Sequence, residues 1–88
     1  MQALLQTIIV GAQQRLDEAK QRRNWGGIGD FYLNYADCPE AAYEQNYETL
    51  LHDVQAAFQS KGEPGILVQF FPEEDRLRIG VIRTNKND

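Results

Sequence analysis

The chain of 88 residues has only one cysteine, Cys38, and only one histidine, His52. A lone cysteine excludes an internal disulfide and a four-cysteine zinc site, and it fits a reducing compartment such as the cytoplasm. A lone histidine leaves too few ligands for an ordinary zinc centre, so we expect no metal and no other cofactor. No apolar run approaches the roughly 20 residues that span a bilayer, so we expect no membrane association.

Basic residues are also missing from a long part of the chain. No lysine or arginine occurs from Asn24 to Ser60, a window of 37 residues that holds six acidic side chains. The residues before it have a net charge of +2 and those after it a net charge of 0, so the formal charge of -4 lies entirely in this window. All four tyrosines and the single tryptophan lie there too. Tyrosine is enriched at protein interfaces, so the window predicts an acidic, aromatic-rich surface for a protein partner.

Apolar residues at helical spacing predict an amphipathic helix from Gln2 to about Arg23. Two residues do not fit its apolar face. Val10 falls outside that face, and Gly11 weakens a helix by about 1 kcal/mol relative to alanine. They are either tolerated in solvent or mark a place where another element or a second copy of the chain packs closely. The predicted buried face consists of Leu4, Leu5, Ile8, Ile9, Ala12, Leu16 and Ala19.

A short strand is predicted over residues 31–35, with Tyr32 on the face opposite to Phe31 and therefore a candidate exposed anchor. The sequence Asp37-Cys38-Pro39-Glu40 then predicts the start of a second helix, since Asp37 can cap it and Glu40 completes a capping box. Gly62 is the predicted end of this helix. Its predicted buried stripe consists of Tyr43, Tyr47, Leu50, Leu51, Val54 and Phe58.

Two further strands are predicted at residues 66–71 and 77–84, on either side of a turn of proline and acidic residues, which favours an antiparallel hairpin. Gly80 inside the second strand suggests a close backbone approach, for example under an aromatic ring. The chain is therefore predicted to be one small α+β domain, residues 1–88, of order α-(β)-α-β-β. Two amphipathic helices would pack on one face of a small antiparallel sheet.

Acidic residues one turn apart form the main candidate binding surface. Glu40, Glu44, Glu48 and His52 would form a column on the predicted second helix. Such a column is an ordinary solvated face or an acidic ridge that recognises a basic partner protein. Half of a metal site from Glu48 and His52 is a third interpretation, but no second histidine exists to complete it. The second interpretation suits an inhibitor, an immunity or anti-defence protein, or a regulatory adaptor. The residues predicted to bind the partner are Asp30, Tyr32, Glu44, Glu48, His52 and Asp53.

Two alternatives stay open. In the first, the protein is an oligomeric domain that binds or sequesters a small ligand. The loop Trp25-Gly26-Gly27 would hold the ligand, and Arg76 or Arg78 would counter the charge of an anionic metabolite or nucleotide. The loop matches neither of the common glycine-rich phosphate motifs. In the second, the protein is a structural subunit whose first helix pairs with a copy of itself, most simply as a homodimer.

Two functional classes are not expected. Nucleic-acid binding is disfavoured by the sequence pI near 4.9 and by the acidic residues that precede Arg76. Enzymatic activity is disfavoured because Cys38 and His52 are the only possible nucleophile and base of their kind, and no third residue orients them.

Overall fold

The computed structural model describes residues 2–23 and 28–84, which form two helices and a three-stranded sheet. The predicted α+β class and the order α-β-α-β-β are confirmed, including the short first strand, which ends one residue before Tyr35. The long elements are α1 (Gln2–Arg22), β1 (Gly29–Asn34), α2 (Tyr47–Ser60), β2 (Ile66–Pro72) and β3 (Arg76–Arg83), and two short 3-10 helices, Pro39–Ala42 and Glu44–Asn46, precede α2.

The sheet is antiparallel and has the strand order β1-β3-β2. Successive side chains of a strand point to opposite faces, and in β3 the buried residues Leu77, Ile79 and Val81 define the face on which the helices pack. Arg76 and Arg78 lie on the other face. The core is therefore one layer between the helices and the sheet, and the second face of the sheet is open among the described residues.

The predicted buried face of α1 is confirmed, with Leu5 partly buried and its other members buried. Val10 and Gly11 have different reasons for lying outside the apolar pattern. The Val10 side chain is 53% exposed, whereas Gly11 faces the ring of Phe31 on β1. A β-carbon at position 11 would lie 2.6 Å from Cε2 of that ring. The glycine therefore allows α1 to pack closely against β1.

The predicted start of the second helix is wrong. Asp37 does not cap a helix, because Cys38 takes the N-cap position of the segment that follows. The N–H of Asp37, which Glu40 would accept in a capping box, instead donates to the carbonyl of Asn34 at the end of β1. The residues that follow form a 3-10 helix without a side-chain cap, and the chain is extended at Tyr43 before α2 begins at Tyr47. Ala41 in this 3-10 helix is fully buried. Tertiary contacts therefore override the local capping signal.

Two corrections follow from this later start. Glu40 and Glu44 lie on separate 3-10 helices, so the predicted column of four residues on one helix does not exist. Tyr43 was predicted to lie in the core but is 47% exposed. Tyr47, by contrast, is partly buried and packs against the core as predicted.

The end of α2 and the hairpin agree with the sequence prediction. Gly62 has a φ of +82°, its N–H donates to the carbonyl of Gln59, and the N–H of Glu63 donates to Phe58. These two hydrogen bonds form a Schellman motif that ends the helix. In the hairpin, the ring of Phe71 lies over Gly80, 3.4 Å from the place of a β-carbon. None of the helices in the described part of the chain is long and apolar enough to span a bilayer.

Candidate functional site

The structure separates the six residues that were predicted to bind a partner into two groups. Asp30 and Tyr32 lie on β1, and their side chains share the open face of the sheet with Arg78. Four others lie on the helical side of the molecule: Glu44, Glu48, His52 and Asp53. His52 points away from the buried side of α2, and its side chain is 81% exposed. The sheet lies between the two groups, so they do not form one continuous site.

On the open face of the sheet, charged side chains pair with one another and with aromatic rings. Arg78 donates from Nε to Asp30 Oδ2 at 2.8 Å, and its guanidinium lies 4.7 Å from the ring centre of Phe71. Arg76 donates from Nε to Glu73 Oε1 at 2.9 Å and stacks 3.9 Å from the ring centre of Tyr32. The hydrogen bond to Glu73 raises the pKa of Arg76 above its usual value. Both arginines therefore already have a carboxylate partner.

This pairing weakens the argument for an anion site on the sheet. The predicted ligand site needed Arg76 or Arg78 as a free positive charge, and each is neutralised locally by its carboxylate. The other predicted members of that site, Trp25, Gly26 and Gly27, lie outside the described residues. Ligand binding stays a prediction, but the described geometry gives it little support.

The acidic residues on the helical side have different surroundings. Glu44 and Glu48 are both exposed, and the half-exposed Tyr43 directly precedes Glu44 in the chain. Within residues 2–23 and 28–84, no lysine or arginine forms an ion pair with either carboxylate. The aromatic side chain and the two unpaired carboxylates form a surface that we call the acidic patch, defined as Tyr43, Glu44 and Glu48. His52 and Asp53 lie beyond it on α2, with Nδ1 of His52 3.5 Å from Oδ1 of Asp53.

Sequence reasoning missed Tyr43 as a surface residue because it assumed one continuous helix. The available signal was Asn46, a residue type that is favoured immediately before a helix and that does precede α2, although its side chain makes no capping hydrogen bond. A helix that starts at Tyr47 places Tyr43 outside the apolar stripe.

Tyr47 fixes the segment that carries the acidic patch. Its hydroxyl donates to the carbonyl of Ala41, and its ring packs edge-on against Phe70 of β2 at a centroid distance of 5.0 Å. Burial, together with nearby Tyr35, raises the pKa of Tyr47 to about 12. The neutral phenol therefore connects the first 3-10 helix to α2 and to the sheet.

This raised pKa predicts a loss of stability in alkali. In the unfolded chain Tyr47 has its ordinary pKa of 10.0, so its contribution to stability is fully present below pH 10 and is lost as the pH rises towards 12. We expect the free energy of unfolding, measured in urea, to fall over this range. The fall should be smaller in Tyr47→Phe, which cannot ionise. Parallel curves for the two proteins would show that Tyr47 is not the group responsible.

The remaining titratable side chains form no compact cluster. Cys38 is partly buried beside the core, whereas His52 is exposed on the outer side of α2. In the described part of the chain, no three histidine, cysteine, aspartate or glutamate side chains lie close enough to hold a metal ion. Comparison of the chain with models of protein families, with curated proteins and with solved structures finds no match in any of the three.

Proposed function

We propose that this protein works by binding a partner protein that presents a basic surface, and that it does so through the acidic patch. One observation carries the proposal. Tyr43 is 47% exposed in the same short segment as the exposed Glu44 and Glu48, within a window of 37 residues that has no lysine or arginine. A solvated acidic segment needs no exposed aromatic residue, whereas a protein interface uses one as an anchor.

The two kinds of side chain have separate roles in this proposal. The carboxylates of Glu44 and Glu48 attract a basic surface at a distance and so accelerate encounter. Tyr43 supplies a large, rigid contact area and a hydroxyl that can form a hydrogen bond. His52 and Asp53 would extend the contact along α2. Asp30 and Tyr32 do not take part, because they lie on the open face of the sheet.

A module of this kind acts by occupying its target. The earlier classes of inhibitor, immunity or anti-defence protein, and regulatory adaptor all fit this mode of action, since each covers or recruits a charged surface of another protein. The partner would carry clustered lysine and arginine residues, as nucleic-acid-binding surfaces do.

Charge reversal of the acidic patch tests the proposal. The partner is first captured from the native host with the wild-type protein, then purified for kinetic measurements at several salt concentrations. Glu44→Lys combined with Glu48→Lys should lower the association rate constant by about tenfold or more and flatten its dependence on ionic strength. Tyr43→Ala should mainly accelerate dissociation, because it removes contact area without changing the charge.

A matched control has the same change in net charge at another place. Glu18→Lys combined with Glu74→Lys alters two exposed carboxylates on α1 and in the hairpin turn. This control should associate within about threefold of the wild-type rate, because charges far from an interface are largely screened. If the two double variants slow association equally, overall net charge rather than the acidic patch governs binding, and the proposal fails.

A further inference from the structure

A groove that the acidic patch does not use runs between α1 and the free edge of β1. One hollow of about 670 Å³ lies between residues 6–15 of α1 and residues 30–33 of β1. A second hollow of about 370 Å³ adjoins it and shares Thr7, Tyr32 and Leu33 with it. The two hollows follow the outer edge of β1 along most of its length.

The backbone of β1 presents hydrogen-bonding groups to this groove. In the described part of the chain β1 pairs with β3 alone, so it is an edge strand. Successive residues of an antiparallel strand direct their N–H and C=O groups to opposite edges. The carbonyl of Asp30 accepts a hydrogen bond from Arg15 Nε of α1, at 3.2 Å. Asp30 and Tyr32 therefore direct their backbone groups into the groove, and nothing among the described residues pairs with those of Tyr32.

The charged residues that line the two hollows are Arg15, Asp30 and Asp37, and the α1 wall that precedes Arg15 is uncharged. Residues 2–14 include no acidic or basic side chain, although a quarter of the whole chain is charged. Val10 is 53% exposed in the groove wall. Arg15 lies at one end, 5.4 Å from the ring centre of Phe31. No carboxylate of the described residues pairs with Arg15, because that of Asp30 is bound to Arg78. The α1 wall of the groove is therefore depleted of charge, as the core of a protein interface is.

We propose that this groove binds an extended segment of a partner protein, which adds to the sheet as a strand next to β1. Its backbone would bond to that of Tyr32, its uncharged side chains would pack against Val10, and one carboxylate of the segment would meet Arg15. Addition of a strand to a free sheet edge is a common mode of peptide recognition, in which backbone hydrogen bonds give affinity and side-chain pockets give specificity. This site is separate from the acidic patch and does not depend on it.

The shape of the groove favours an extended segment over a second copy of the chain. Paired strands lie about 4.8 Å apart, whereas packed helices need about 8–10 Å between their axes. α1 lies directly over β1, as the contact between Gly11 and Phe31 shows. A second β1 paired antiparallel to the first would bring its own α1 into the same space. A single extended segment has no helix above it and fits beneath α1.

The probe is a phage-displayed library of random dodecapeptides selected on the full chain. Enriched peptides should carry an aspartate or glutamate, shift the amide resonance of Tyr32 and slow its hydrogen exchange.

Val10→Lys places a charge in the half-exposed groove wall and should weaken binding by about tenfold or more, a loss of about 1.4 kcal/mol. Gln59→Lys adds the same charge on an exposed part of α2 and should leave the affinity unchanged. Arg15→Gln should weaken binding of the acidic peptide but not of its amide counterpart.

Three outcomes would overturn the inference. In the first, the selection enriches no peptide that binds the wild type more tightly than Val10→Lys. In the second, the enriched peptides shift the amide resonances of α2 instead of those of β1. In the third, sedimentation shows that the chain dimerises with Tyr32 protected, so that a second copy occupies the edge. The variant with Glu44→Lys and Glu48→Lys should keep peptide binding, so failure of the acidic patch and failure of the groove are distinguishable.

Discussion

The substitution Phe58→Ala is expected to lower the free energy of unfolding by about 3–5 kcal/mol, because it leaves a cavity where a buried ring was. Phe58 is fully buried near the end of α2, on the side that faces the sheet. The amino group of Lys61 lies 5.3 Å from its ring centre and covers it from the solvent side. A domain of this size has only about 5–15 kcal/mol of stability in total, so the variant should be close to unfolding at room temperature.

Phe71→Ala is the matched control for this prediction. Phe71 loses the same atoms but is 38% exposed on the open face of the sheet, over Gly80 and beside Arg78. Its loss should cost about 1 kcal/mol, as is usual for residues outside the core. Urea unfolding followed by circular dichroism measures both values. Equal losses for the two variants would show that the sheet is covered on both faces, contrary to the architecture described above.

The parts of the fold that were predicted well are those in which apolar residues repeat regularly within a single helix or strand. The buried face of α1 and the alternation of Leu77, Ile79 and Val81 follow from the periods of a helix and a strand, and both are read along a single segment. Gly62 was recognisable as a helix end because the φ of +82° that it adopts is unfavourable for other residues.

The start of α2 could not be predicted in the same way, because residues distant in sequence decide it. Asp37 and Glu40 have the residue types of a capping box, and Pro39 suits a first turn, but the N–H of Asp37 donates to the carbonyl of Asn34 at the end of β1. The hydroxyl of Tyr47 donates to the carbonyl of Ala41. This hydrogen bond favours the 3-10 conformation of residues 39–46 over an extension of α2. Competition between a local cap and these contacts is settled only when the sheet and helices pack.

The positions of the candidate surface residues could not be predicted from composition. The absence of lysine and arginine from Asn24 to Ser60 predicts an acidic surface, but the fold assigns the residues of that window to different faces. Asp30 is paired with Arg78, which is 48 residues away in sequence. The groove depends on the strand order β1-β3-β2, which leaves β1 at an edge, and no single segment encodes that order.

Gly11 is the place where helix propensity and tertiary packing make opposite predictions. Alanine stabilises the interior of a helix by about 1 kcal/mol relative to glycine, so Gly11→Ala should strengthen α1 if nothing faces it. The ring of Phe31 does face it, however, with Cε2 at 2.6 Å and Cζ at 2.7 Å from the place of the added methyl group. Carbon atoms do not approach so closely, so either α1 must move away from β1 or the ring must leave its position.

Gly11→Ala is therefore expected to lower the free energy of unfolding by up to about 2 kcal/mol, since overpacking costs about 1–3 kcal/mol and the gain in helix propensity returns about 1 kcal/mol. Phe31→Leu removes the ring atoms concerned, and in that background the same change should be neutral or stabilising. Urea unfolding of the four proteins gives the coupling between the two sites, which should be about 1–3 kcal/mol. Stabilisation by Gly11→Ala in both backgrounds would contradict the close contact.

Phe31 also lines the groove, so displacement of its ring by Gly11→Ala should weaken peptide binding at β1 as well. Binding of a basic partner protein to the acidic patch should be unaffected.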